Sequence, residues 1–86
     1  MSSSEERIGV VKHFFSKISV AAIEITEGSL KIGDTVRVQG AMTDFVQKVE
    51  SMEVDKKPIQ KADKGMAIGI KIEEKARPGD LVYKVT

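Results

Sequence analysis

Gly28-Ser29-Leu30-Lys31-Ile32-Gly33-Asp34-Thr35-Val36-Arg37-Val38 sets two turn signals around a short apolar step, then runs into a strand in which Val36 and Val38 share a face. A second stretch, Gly65-Met66-Ala67-Ile68-Gly69-Ile70-Lys71-Ile72, alternates more cleanly and leads to Arg77-Pro78-Gly79-Asp80-Leu81-Val82. Each Gly-Asp corner opens a short β-branched strand. In a chain of 86 residues this predicts a small antiparallel barrel that presents a surface, with too little core to enclose a large catalytic cavity.

Outward from these corners, the run from Ile8 to Phe15 is dense in Val, Ile and Phe around Gly9, and predicts a first strand over 7–15. The second strand spans Ile18 to Ile25, where the apolar phase moves from even to odd positions at Ile23 and predicts a bulge. Thr35 to Gln39 forms the third. A longer strand runs from Thr43 to Val54, with a second bulge where the phase passes from Phe45 and Val49 to Met52 and Val54. Pro58 stops it, since proline brings no N–H to a ladder, and 61–65 reads as a polar loop. Met66 to Ile72 and Leu81 to Val85, with Leu81, Tyr83 and Val85 on one face, complete six strands, an all-β chain with no helix. Residues 1–6, small, polar and acidic, are expected to be a disordered N-terminus, leaving 7–86 as a single β-barrel domain.

Cysteine is absent, which excludes disulfides and thiolate chemistry and favours a cytoplasmic setting. No apolar run approaches the ~20 residues that cross a bilayer, so no membrane partner is expected. Fourteen basic residues against thirteen acidic ones leave a net charge of +1, too balanced for bulk attraction to nucleic acid. There is no Gly-x-x-x-x-Gly-Lys-Ser/Thr loop, so neither a nucleotide nor any other cofactor is expected.

Catalysis has little to stand on. His13 is the only imidazole and lacks an orienting partner in the sequence. Glu53 and Asp55 point to one face of a strand and Glu50 to the other, and nothing separates their proton affinities. The reading is therefore a non-enzyme. Binding candidates are clearer: Lys56, Lys57, Lys61 and Lys64 fall in one nine-residue window that suits phosphate contact. Phe15 beside Lys17 offers an aromatic face for stacking. Gly69 leaves room for the close approach of a strand or ligand.

The Leu30-Lys31-Ile32-Gly33-Asp34 corner, the Ser51-Met52-Glu53 strand end, the Gly65-Met66-Ala67-Ile68-Gly69 step and the Arg77-Pro78-Gly79-Asp80 corner together resemble the second, β-barrel domain of the translational GTPases, as in elongation factor Tu. That resemblance implies a six-stranded antiparallel Greek-key barrel and a non-catalytic module contacting RNA, either the acceptor end of tRNA or the ribosome, or a ribosome-associated partner. It also places Glu53 and Lys56 at the pocket position. The run Thr43-Asp44-Phe45-Val46-Gln47-Lys48-Val49-Glu50-Ser51-Met52 is similar to short translation-elongation-factor-like proteins and to the C-terminal barrel of collagenase-like peptidases. The second likeness implies the alternative, a protein-interaction accessory barrel that docks onto a separate enzyme such as a collagenase-like peptidase.

Overall fold

The computed structural model describes residues 4–86. Its strands, in chain order, are β1 (Glu5–Phe15), β2 (Val20–Ile25), β3 (Ser29–Lys31), β4 (Thr35–Gln39), β5 (Asp44–Lys48), β6 (Met52–Val54), β7 (Lys57–Ile59), β8 (Lys61–Asp63), β9 (Ala67–Lys71) and β10 (Leu81–Val85). Eight of them form an antiparallel sheet in the order β5-β4-β10-β1-β2-β9-β6-β7, and β3 pairs with β8. The chain is all-β among the described residues, and no helix is long and apolar enough to cross a membrane.

Ten strands stand where six were expected: the expected strand over 43–54 divides into β5 and β6, and β3, β7 and β8 are additional. The expected strand from Thr43 to Val54 is interrupted at 49–51, where the chain leaves β4 and takes β9 as its neighbour. Its change of apolar phase is therefore a corner and not a bulge. β5 and β9 share no ladder; the Gln47 side chain spans that gap, its Nε2 donating to Lys71 O at 3.1 Å and its Oε1 accepting the Glu73 N–H at 2.8 Å. The stretch expected as a polar loop contains β8, and Pro58 sits in β7 at the sheet's edge, where a missing donor costs no ladder bond.

The bulge expected in the second strand lies across the ladder from it. In β2, Ala21, Ile23 and Ile25 are buried in unbroken alternation, while β1 carries an irregularity between Val11 and His13 opposite Ile23 and Ala22. A second irregularity, between Arg7 and Gly9, faces β10. β1 therefore buries Ile8, Gly9 and Val11 instead of a strictly alternating set. β10 turns Val82 inward, with Leu81, Tyr83 and Val85 half-buried. β1 begins at Glu5, opposite Val85, and Ser4 and Thr86 exchange backbone hydrogen bonds of 3.1 and 2.9 Å. Of the segment expected to be disordered, residues 1–3 lie outside the described residues.

Core burial follows the alternation: Ile23, Ile25, Val36, Val38, Ile70 and Val82 are all at most 1% exposed. Each such side chain contributes about 1.5–3 kcal/mol relative to an exposed position. On the outer surface Arg37 ties β4 to β5 and, past β10, to β1, its guanidinium donating to Asp44 at 2.8 Å twice and to Glu5 at 3.1 Å. Hydrogen bonding from Arg37 lowers the Asp44 pKa below the ordinary aspartate range. A carboxyl whose folded pKa is depressed stabilises the fold above its unfolded pKa, and that contribution fades as pH falls through the folded value. Asp44→Asn is expected to lower the melting temperature slightly at neutral pH and to matter progressively less as pH falls through the folded pKa of Asp44, a difference read by a melting series across acid pH.

Candidate functional site

Positive φ angles in non-glycine residues are uncommon, and among the described residues three occur: Ser19 at 56°, Asp55 at 51° and Lys56 at 66°. All three flank one groove. Asp55 and Lys56 form the two-residue turn between β6 and β7, in which Val54 pairs with Lys57. A two-residue hairpin of this kind demands positive φ at both positions and is usually filled by Asn-Gly. On the opposite wall, the tight turn after β1 is closed by the Ile18 N–H donating to Phe15 O at 3.3 Å, and Ser19 O accepts the Ile72 N–H at 2.8 Å. Lys56→Gly is expected to raise stability by about 1 kcal/mol by removing the left-handed penalty, measured as a shift in the denaturant midpoint.

Between these walls the groove is open and about 580 Å³ in volume, continuing past Gly69 toward Pro58 and Lys71. Its lining is largely apolar, from Phe15, Ile18, Val20, Ala22 and Val54. Phe15 and Ile18 are 46% and 58% exposed and lie side by side in this lining. Gly69 pairs with Glu53 across the β6–β9 ladder. A Cβ at position 69 would lie 3.2 Å from both Glu53 Cγ and Val20 Cγ1, so the absent side chain lets Glu53 lie down across the floor.

Of the residues singled out in the sequence, the fold brings Phe15, Glu53 and Lys56 to this groove. Lys17 is exposed in the neighbouring turn and lines a shallower hollow with His13 and Phe14. Lys57 and Lys64 are exposed outside the groove lining, and Lys61 lies on β8, 3.7 Å from Asp63. The nine-residue basic window is thus distributed over β7, β8 and two turns. Ile18 and Val20 were missed as site residues because both read as ordinary strand interior. The one available signal is Ser16-Lys17 before them, a polar pair that suits a change of direction.

The remaining chemistry is sparse. His13 contacts Phe15 edge to face with ring centroids 4.5 Å apart, and no group of three or more His, Cys, Asp or Glu side chains among the described residues is arranged to hold a metal. The groove offers shape, apolar surface and a few charges.

No protein-family model matches the chain. It is similar to a collagenase of Porphyromonas gingivalis, 40% identical over 72 residues, which are 83% of this chain and 20% of that protein. It is also similar to an uncharacterised protease of Methanocaldococcus jannaschii, 43% identical over 77 residues, 88% of this chain and 19% of that one. The chain thus spans about a fifth of the length of these curated relatives. Its fold matches the crystal structure of the C-terminal domain of a Geobacillus thermoleovorans protein described as a U32 peptidase. The TM-score is 0.85 at 18% identity, over 92% of this chain and 91% of that one. The selenomethionine variant of the same domain gives a TM-score of 0.84.

These relatives correct the expectation of a translation-factor module that contacts tRNA, the ribosome or other RNA. The sequence likeness runs to proteases and the fold likeness to a peptidase's C-terminal domain. The structure adds a physical reason: of the four lysines credited with phosphate contact, Lys56 alone lines the groove with Glu53 and Phe15, and Lys61 is paired with a carboxylate. The corner motifs behind the resemblance describe how small barrels turn, which unrelated functions share.

Proposed function

We propose that this chain is a non-catalytic accessory barrel of the kind carried at the C-terminus of U32 peptidases, and that it docks onto a peptidase polypeptide through the groove between Phe15 and Lys56. The observation that carries the reading is the match itself: a stretch of 72–77 residues in proteins about five times as long, whose structural counterpart is a C-terminal domain. The apolar groove with its exposed Phe15 and Ile18 supplies a surface suited to protein contact. The absence of cysteine supports a cytosolic setting.

The same reading carries an architectural inference. β5 and β6 act as the two halves of one bent strand, with β1, β2, β4, β9 and β10 as the other five of a six-stranded Greek-key barrel. The pairing of β5 with β4 and of β6 with β9, and the Gln47 bridge across the gap, support this.

A photo-activated benzophenone residue placed at Ile18 tests the docking. In cells of the source organism, the adduct is expected to contain a collagenase-type peptidase polypeptide, to resist ribonuclease and to persist in high salt. Adducts containing RNA alone, or no peptidase polypeptide, would contradict the proposal.

A further inference from the structure

β5 is one edge of the eight-stranded sheet, and its register with β4 decides which of its backbone groups face outward. At the hairpin the Gly40 N–H donates to Thr43 O at 2.7 Å and the Thr43 N–H to Gly40 O at 3.4 Å; past the far end of the strand the Val49 N–H donates to Asp34 O at 2.8 Å. Bonded and non-bonded pairs alternate along an antiparallel ladder, so Phe45 and Gln47 turn their N–H and C=O groups toward β4. Those of Asp44, Val46 and Lys48 point away from it. Among the described residues no other strand pairs with them, and the one partner any of them has is the Gln47 Nε2, which donates to Lys48 O at 3.3 Å. The side chains of the same three residues are exposed, Val46 at 55%.

An unpaired edge is a template for a further strand, and the sequence of this edge is complementary to itself. Asp44-Phe45-Val46-Gln47-Lys48 carries opposite charges at equal distances from Val46. When two such strands pair antiparallel about Val46, Asp44 faces Lys48 of the second copy on one side and Lys48 faces its Asp44 on the other. Val46 faces Val46, and every outward N–H and C=O falls on a bonded pair. The other two-fold arrangements fail. Centring on Phe45 or Gln47 presents groups already bonded to β4, and centring on Asp44 or Lys48 sets like charges opposite each other. We infer that two copies of this chain associate through β5, antiparallel and in register at Val46. Lys48, in no ion pair among the described residues, thereby gains a carboxylate across the new ladder. Asp44 accepts two bonds from Arg37 and keeps acceptor capacity for that ammonium. The groove between Phe15 and Lys56 uses no residue of β5, so this association is independent of docking there.

A contact of one short strand per copy is small, so the dimer is expected to form with a dissociation constant on the order of 100 μM. Sedimentation equilibrium of the chain alone up to about 1 mM measures it. Val46→Pro is expected to abolish the dimer and to hold the melting temperature within a few degrees, because the lost N–H points away from β4 and belongs to no ladder within one copy. Lys48→Glu, which sets like charges opposite each other, is expected to weaken association by roughly tenfold or more. The register is read by disulfide formation, since the chain has no cysteine of its own. Val46→Cys places its two Cα atoms about 5.5 Å apart across the two-fold and is expected to oxidise to a covalent dimer. Lys48→Cys, with its Cα atoms roughly 14 Å apart, is expected to stay monomeric under the same oxidant. A chain that remains monomeric at 1 mM, a dimer that survives V46P or K48E unchanged, or K48C crosslinking as readily as V46C would overturn the assignment.

Discussion

Gly9→Ala is expected to destabilise the chain by about 3 kcal/mol and to lower its melting temperature by roughly 15 °C. Gly9 is buried at the point where β1 lies between β2 and β10, paired with Ile25 on one side and Val82 on the other. A Cβ there would meet Glu24 O at 2.5 Å and Ile23 Cγ2 at 3.1 Å. The first of these is a backbone oxygen fixed by the β1–β2 ladder, so relief requires the two strands to separate. Overpacking that forces backbone movement is costly in proportion to how little the surroundings can shift. Thermal unfolding by circular dichroism measures the loss, and a melting temperature within a few degrees of the parent would show that β1 and β2 can separate enough to admit the methyl group.

The second large effect concerns binding. The double variant Phe15→Ser, Ile18→Ser is expected to weaken peptidase docking by roughly 30-fold or more, since buried apolar and aromatic anchors at the centre of an interface commonly carry about 2 kcal/mol or more. Stability is expected to change little, because both side chains are substantially exposed and Phe15 lies at the end of its strand. The two effects separate cleanly: Gly9 supports the barrel and leaves the groove's chemistry alone, while Phe15 and Ile18 serve the groove. Calorimetric titration against the peptidase, with a parallel melting curve, distinguishes docking lost through the groove from docking lost through unfolding.

Much of this fold is legible in residues that obey a single constraint. Val36 with Val38, and Ile68 with Ile70 and Ile72, alternate because one face of each strand is buried, and their order in the sequence states that directly. β1 is harder, since its irregularities bury Ile8 and Gly9 in succession, and the neighbouring β2 was credited with a bulge that belongs across the ladder. The corner at 49–51 is opaque for a similar reason: a phase change reads alike whether a strand bulges or changes partners. Asp55-Lys56 hides the tightest turn because neither residue advertises positive φ, and the proline after it suggested an end where a hairpin continues.

At the groove, Glu53, Lys56 and Phe15 were identified by a family resemblance and by local chemistry, and the fold places them together. The function attached to them by that resemblance did not survive, because pocket position is a property of the barrel and its ligand is not. Lys57, Lys61 and Lys64 illustrate the other limit. Closeness in sequence is a poor guide to a shared surface when each turn of the chain moves to a new strand, here from β6 to β7 to β8 within a few residues.

The most direct test mixes the purified chain with a purified collagenase-type peptidase from the same organism. Sedimentation velocity is then followed at low and high salt, with gelatin hydrolysis assayed for each protein alone. A complex that persists in high salt, formed by a chain that hydrolyses nothing itself, is the predicted result. The absence of a complex at any salt concentration, or gelatin hydrolysis by the chain alone, would contradict a non-catalytic docking barrel.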